Sequence, residues 1–190
     1  MTREKIILDL IEGKDVLDIG SVGQTNTYNL FQLYPSKPFK SLTGIDLPEA
    51  EEIVKDSFDI DYLKENRDVS IVSGNMEDYT FNKQFDIIVA GDVLEHVENQ
   101  GLFLKNIRKH LRDGGKFVLT TPNAKALSIV FKPNPTHTLW HDKFTLRRIL
   151  EMSGFKIEIE KYYFGNKKHY PFYMKPLVYR QGLIFICSKK

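Results

Sequence analysis

The sequence predicts a doubly wound α/β domain, a mainly parallel sheet with helices on both faces. Short apolar runs alternate with helix-patterned segments, the first two of those runs finish on an acid, and glycines follow the first directly. The stretch Lys14 to Gln24 shows the pattern best: its apolar run stops at an acid and then at Gly20 and Gly23. Glycine tolerates positive φ and, lacking Cβ, lets backbone approach a ligand, so these two mark a candidate ligand edge. Many α/β domains with unrelated ligands begin this way, so the stretch alone fixes no function.

From Thr2 to Glu12, Ile6, Ile7, Leu10 and Ile11 recur at helical spacing between a capping Thr2 and a stop at Gly13, so a short helix is expected. Asp15 to Ile19 reads as the first strand. After Gly23, the polar Thr25, Asn26, Thr27 and Asn29 open a helix carrying Tyr28, Leu30, Phe31 and Leu33, ended by Pro35 and Pro38. Leu42 to Leu47 is a second strand, with Asp46 at its end on the same edge as Asp18. Pro48 to Asn66 has helical composition, Pro48 suiting a first turn.

Val69 to Val72 is the third strand, and Phe85 to Ala90 the fourth, leading into Gly91-Asp-Val-Leu-Glu-His-Val97. Gln100 to Arg112 is expected to be a helix, with Phe103, Leu104, Ile107 and Leu111 on one stripe and Gly114-Gly115 closing it. Lys116 to Thr121 is the fifth strand. The segment from Asn123 to Lys143 is loosely patterned and longer than a connector needs, which marks it as functional and as a gate expected to order on binding. Phe144 to Met152 is a helix ended by Gly154, Phe155 to Tyr163 the sixth strand, and Gly182 to Ser188 the seventh.

A length of 190 residues with 42% hydrophobic side chains suits one domain, residues 1–190, around one well-buried core. With 27 basic against 25 acidic residues the net charge is +2, too small to argue for nucleic acid as a partner. The basic residues concentrate late: from Lys161 onward there are Lys and Arg but no Asp or Glu, interleaved with Tyr162, Tyr163, Phe164, Tyr170, Phe172, Tyr173 and Tyr179. Such a pattern suits nucleic acid by stacking and phosphate contact, a phosphorylated or anionic-lipid acceptor, or simply a sheet edge. A single cysteine, Cys187, rules out an intrachain disulfide and a cysteine zinc cluster. The amino terminus resembles no signal or transit peptide, and no apolar run approaches a membrane span, so a soluble, cytoplasmic protein is expected.

Taken in order, Val16-Leu-Asp-Ile-Gly20, Gly44-Ile-Asp46, Phe85-Asp-Ile-Ile-Val89 with Leu94-Glu-His-Val97, and Leu111-Arg-Asp-Gly-Gly-Lys-Phe-Val-Leu119 resemble the class I S-adenosylmethionine-dependent methyltransferases, especially the small-molecule group of ubiquinone-biosynthesis type. His141-Asp-Lys-Phe-Thr145, with Leu150 and Gly154-Phe155, resembles a late helix of that group. The resemblance implies a Rossmann-like seven-stranded sheet, the last strand antiparallel, and S-adenosyl-L-methionine as cofactor. It implies that Asp18 orients the cofactor's methionine end through the turn of Gly20, Ser21 and Gly23, and that Asp46 binds the ribose hydroxyls. Leu47 and Met76 would sandwich the adenine, Asn75 would accept from its amino group, and Gly91 and Asp92 would lie beside the cofactor. Val22 and Gln24 stand where that family has glycine, which bears on cofactor affinity. The amino-terminal segment is too short for the lid that smaller-substrate members build, so a partner or a second copy of the chain would cover the site, or it is open.

His96 and His141 are alternative general bases, since an unperturbed histidine titrates near pH 6.5. His137 and Trp140 are candidates for acceptor contact. No metal site is expected, because no cysteine or carboxylate set completes the pair His137 and His141. The function expected is methyl transfer to an oxygen, nitrogen or carbon nucleophile on a small-molecule, glycan-linked or lipid-linked acceptor. The alternatives are a binding module on the same fold without activity, and an NAD-dependent oxidoreductase. Against the second, the full Gly-x-Gly-x-x-Gly pattern is missing after the first strand.

Overall fold

A computed structural model of the chain describes residues 3–21, 39–48, 68–131, 133–163 and 181–190. The helix expected after Gly23 and, apart from Pro48, the one expected from Pro48 to Asn66 lie outside these residues, as do Val22, Gly23, Gln24 and the aromatics from Phe164 to Tyr179. The elements are α1 (Arg3–Leu8), β1 (Asp15–Ile19), β2 (Ser41–Asp46), β3 (Val69–Ser73), β4 (Phe85–Gly91), α2 (Gln100–His110), β5 (Leu111–Pro122), α3 (Leu127–Phe131), α4 (Lys143–Met152), β6 (Phe155–Tyr163) and β7 (Gly182–Lys189). The strands form one seven-stranded sheet in the order β3-β2-β1-β4-β5-β7-β6. The pairs β1–β2, β2–β3, β1–β4 and β4–β5 are parallel, whereas β7 runs antiparallel to both β5 and β6.

Alternation along each strand splits the core in two. Leu17, Ile19, Ile88, Ala90, Phe117, Leu119 and Phe185 pack on one side with Phe103, Leu104 and Ile107 of α2 and Leu146 and Leu150 of α4. Val16, Ile87, Val89, Val118, Ile184 and Ile186 pack on the other with Ile7 of α1 and Ile11 beyond it. Because successive side chains of a strand face opposite ways, a strand buried on both faces is mostly apolar, which is why β1 and β4 are recognised by Val16-Leu17 and by Ile87 to Ala90, with the buried Asp18 an exception. Chain order places β2 and β3 on one side of β1 and β4 and β5 on the other, so the direction of winding reverses between β1 and β4. In open α/β sheets the crevice beyond the strand ends at that reversal is where ligands bind.

Three expectations are corrected. The first helix ends at Leu8 instead of Glu12, although Ile7 and Ile11 are both fully buried through the turns after it. The helix from Gln100 ends at His110 instead of Arg112: Leu111 continues its apolar stripe but already pairs with Phe85 at the start of β5. The β4–β5 register then jumps to Ile87 against Lys116, and a Cβ on Gly115 would lie 2.7 Å from the Asp86 carbonyl oxygen, so the bulge needs its glycine. Finally, the segment from Asn123 to Lys143, expected to be only loosely patterned, carries an element of its own. It contains α3, and its ends meet where Asn123 bridges His141, with the Ala124 N–H donating to the His141 carbonyl at 2.8 Å.

The last helix is capped as its sequence demands: Asp142 accepts from the backbone N–H groups of Phe144 and Thr145, and Thr145 Oγ1 accepts from the Asp142 N–H. Among the described residues no helix is long and apolar enough to cross a membrane.

Candidate functional site

Beyond the carboxyl ends of β1, β2 and β4 lies a cavity of about 490 Å³. Its walls include Gly20, Asp46, Leu47, Asn75, Met76, Gly91, Asp92 and His96, so one cavity collects most of the candidate residues from strand ends far apart in sequence. Asp18, Ser21 and His141 are not in its wall, and Gly23 lies outside the described residues.

The turn after β1 is close-fitting. Gly20 has φ of 72°, its N–H donates to the Ile45 carbonyl at 2.9 Å, and a Cβ there would lie 2.6 Å from Val93 Cγ2. A side chain at this position is excluded by both backbone conformation and space. Asp18, one residue inside β1, is 3% exposed, and its carboxyl is held well above the usual carboxylate range by burial and by the charge of Asp46. Two acids set together at the ends of β1 and β2 favour a ligand bringing a cation or hydroxyl donors. Ser21 Oγ is also buried, with no hydrogen-bond partner among the described residues.

Asp46 Oδ1 accepts from the Leu47 N–H at 2.9 Å, and its carbonyl accepts from Gly74 N–H at 2.8 Å, tying the exits of β2 and β3 together. Leu47 is 49% exposed and Met76 is 3% exposed, an unequal pair of apolar surfaces for a flat ring. Asn75 is partly engaged, because its Oδ1 already accepts from the Glu77 N–H at 2.9 Å, leaving one lone-pair direction for a ligand. Glu77 in turn accepts from the N–H groups of Glu98 and Asn99 at 2.9 and 3.0 Å, which fixes the entry to α2 against the cavity.

Asp92 adopts φ of 56°, and its carboxylate is turned to protein donors: the Arg3 guanidinium, Thr120 Oγ1 at 3.1 Å and the Tyr163 hydroxyl at 3.0 Å. Further along the same turn, His96 Nδ1 lies 3.1 Å from the Thr136 carbonyl oxygen. A carbonyl only accepts, so Nδ1 carries the ring proton and Nε2 keeps its lone pair as a base. His141 is spent differently. It is 8% exposed, its Nε2 accepts from Gln100 Nε2 at 2.6 Å, and burial lowers its pKa.

The sequence reading missed Glu95. Its side chain is 2% exposed and accepts from Thr121 Oγ1 at 3.0 Å, while burial and then the Asp92 charge push its pKa up to about 8. Its backbone carbonyl accepts from the Thr138 N–H at 2.8 Å and from Thr138 Oγ1 at 3.0 Å, pinning the long loop to the turn after β4. That places His137 beside His96, ring centroids 4.7 Å apart, with Trp140 4.8 Å beyond. Ligand atoms of Glu95, His96 and His137 fall within 4.8 Å of one another, and both Glu95 Oε1 and His137 Nδ1 are buried without a partner among the described residues. One carboxylate and two imidazoles with unsatisfied acceptors could hold a divalent cation. The pairing of His137 with His141 lacked this carboxylate, because no local spacing reveals a contact made across some forty residues.

A family model described as a methyltransferase domain matches residues 3–159. The chain is 33% identical over 166 residues to the mitochondrial ubiquinone biosynthesis O-methyltransferase of Rattus norvegicus, covering 78% of this chain and 46% of that protein. It is 31% identical over 111 residues to the tRNA U34 carboxymethyltransferase of Nautilia profundicola, covering 58% of this chain and 35% of that one. The chain thus spans less than half the length of these two curated relatives. The crystal structure of an S-adenosylmethionine-dependent methyltransferase from Mesorhizobium loti superposes with a TM-score of 0.74 at 15% identity, over 98% of this chain and 95% of that one, a likeness of fold.

Proposed function

Since the chain belongs to the methyltransferase-domain family, we propose that it binds S-adenosylmethionine in the cavity beyond β1, β2 and β4 and methylates an acceptor hydroxyl there. The observation carrying this reading is the convergence on one cavity of the β1 glycine turn, the terminal Asp46 of β2 and the His96 turn after β4. When bound, the cofactor supplies a methyl group made electrophilic by its sulfonium. Asp46 would take the ribose hydroxyls, Leu47 and Met76 the adenine, and the turn at Gly20 the methionine end, with Asp18 buried behind that turn. His96, its proton fixed on Nδ1, would draw the acceptor's proton onto Nε2, and the remaining catalysis is positioning. His141 is the weaker base candidate, since its Nε2 is occupied by Gln100.

A hydroxyl acceptor is favoured over an amine because a neutral amine attacks without a base, and the rat relative is by name an O-methyltransferase. The Glu95, His96 and His137 group supports a second route to the same reaction, in which a divalent cation acidifies the acceptor hydroxyl. The experiment is calorimetric titration with S-adenosylmethionine, S-adenosylhomocysteine and NAD, with and without magnesium or zinc. Binding of the first two and not of NAD is expected. A protein that binds neither sulfur ligand is not a methyltransferase, and one that binds NAD alone is an oxidoreductase.

A further inference from the structure

Asp92 is the one residue other than glycine with positive φ among the described residues, and it stands in the cavity wall. Such a conformation persists only where its surroundings hold it, and it clusters at functional sites. The holding groups come from distant parts of the chain. The Asp92 N–H donates to the Thr120 carbonyl at 3.0 Å, while Thr120 Oγ1 and the Tyr163 hydroxyl both donate to Oδ1. Arg3, 8% exposed in the first turn of α1, pairs with Oδ2, and its guanidinium carbon lies 5.6 Å from the centre of the Tyr163 ring.

The direction of the Asp92 peptide sets the path of the chain beyond it. Val93 Cγ2 fills the space a side chain on Gly20 would need, and the Val93 carbonyl accepts from the His96 N–H at 2.9 Å. One backbone conformation therefore joins the turn after β1 to the turn carrying His96.

We propose that Arg3 and Tyr163 are positioning residues for methyl transfer: by gripping the Asp92 carboxylate they keep its peptide left-handed, and so hold Val93 against Gly20 and His96 at the cavity. The proposal rests on the methyltransferase reading. Without the guanidinium, Asp92 would be a partly buried carboxylate beside Glu95, and turning toward water would release its backbone.

The test compares Arg3→Met with Arg3→Met/Asp92→Gly, because glycine adopts positive φ freely and leaves no unpaired carboxylate. Two readouts are taken: amide NMR shifts of Gly20 and Val93 in the ligand-free protein, and S-adenosylhomocysteine affinity. Arg3→Met should displace both amides and weaken binding about tenfold, and the double variant should return both amides to their parent shifts. Unmoved amides in Arg3→Met, or a double variant as displaced as the single one, overturn the proposal. If Arg3→Met does not fold, Tyr163→Phe removes one donor and should shift the same amides, with rescue by Asp92→Gly; unmoved amides there overturn it equally. Failure of the parent to bind S-adenosylhomocysteine sinks the methyltransferase reading instead, and the ligand-free amides still decide the positioning role.

Discussion

Replacing Glu95 by glutamine should make the protein more stable at alkaline pH and change it little in acid. The glutamine carbonyl can keep the Thr121 hydrogen bond while the group that Asp92 repels is lost. Glu95 is 2% exposed, with its pKa raised from 4.5 to about 8, so solvent does little to screen the penalty of its charge. Because the folded pKa lies above the unfolded one, the group's contribution is fully favourable below about pH 4.5. It is lost as the pH rises toward 8, since the unfolded chain gives up the proton first. Over that window the parent loses roughly 4–5 kcal/mol that the glutamine variant retains, with roughly 3 kcal/mol of the difference already present near neutrality. Urea unfolding of both proteins at pH 5, 7 and 9, with EDTA present to keep cations from Glu95, measures the difference. A gap that stays constant across that range, or narrows as pH rises, would refute the assignment of a buried, proton-holding Glu95.

Asp46→Ala should weaken S-adenosylmethionine binding by roughly 1–3 kcal/mol, the cost of stranding polar partners; unchanged calorimetric affinity in a folded variant removes Asp46 from the site. Gly20→Ala should cost stability by about 1–3 kcal/mol, because its Cβ must displace Val93, and a thermal scan matching the parent would show that the turn relaxes freely. His96→Ala should lower turnover of a hydroxyl acceptor by about 10²- to 10⁴-fold with cofactor affinity nearly intact, whereas His141→Ala should mainly lower the melting temperature. Near-normal turnover in both variants would leave the proposed base without support and point to an amine or carbon acceptor.

Much of the sheet is legible in the sequence because a strand buried on both faces is mostly apolar. β1 and β6 fall on their expected residues, and β3, β4 and β7 within one residue of their expected ends. The end of α2 was hidden because Leu111 satisfies the helical period and the strand at once. The cavity wall at Asp46, Leu47, Asn75, Met76 and His96 was legible since strand-end residues on one edge of a parallel sheet must meet. The contacts of Glu95, His137 and Arg3 were not, since they join segments whose separation carries no periodic signal. The surroundings of His141 were hidden for the same reason: the bridge to Asn123 and the bond from Gln100 join segments far apart in the chain.

The place of β7 in the sheet has a consequence for how the protein is made. The strand synthesised last of the seven is inserted between β5 and β6, so β6 leaves the ribosome before its one partner among the described strands, which begins some twenty residues later. During that interval a nine-residue edge is open to other chains, the circumstance in which strands aggregate. The order of residues along β6 answers this hazard: Lys156, Glu158, Glu160 and Lys161 break its apolar run, so the waiting strand carries charge of both signs before its partner arrives.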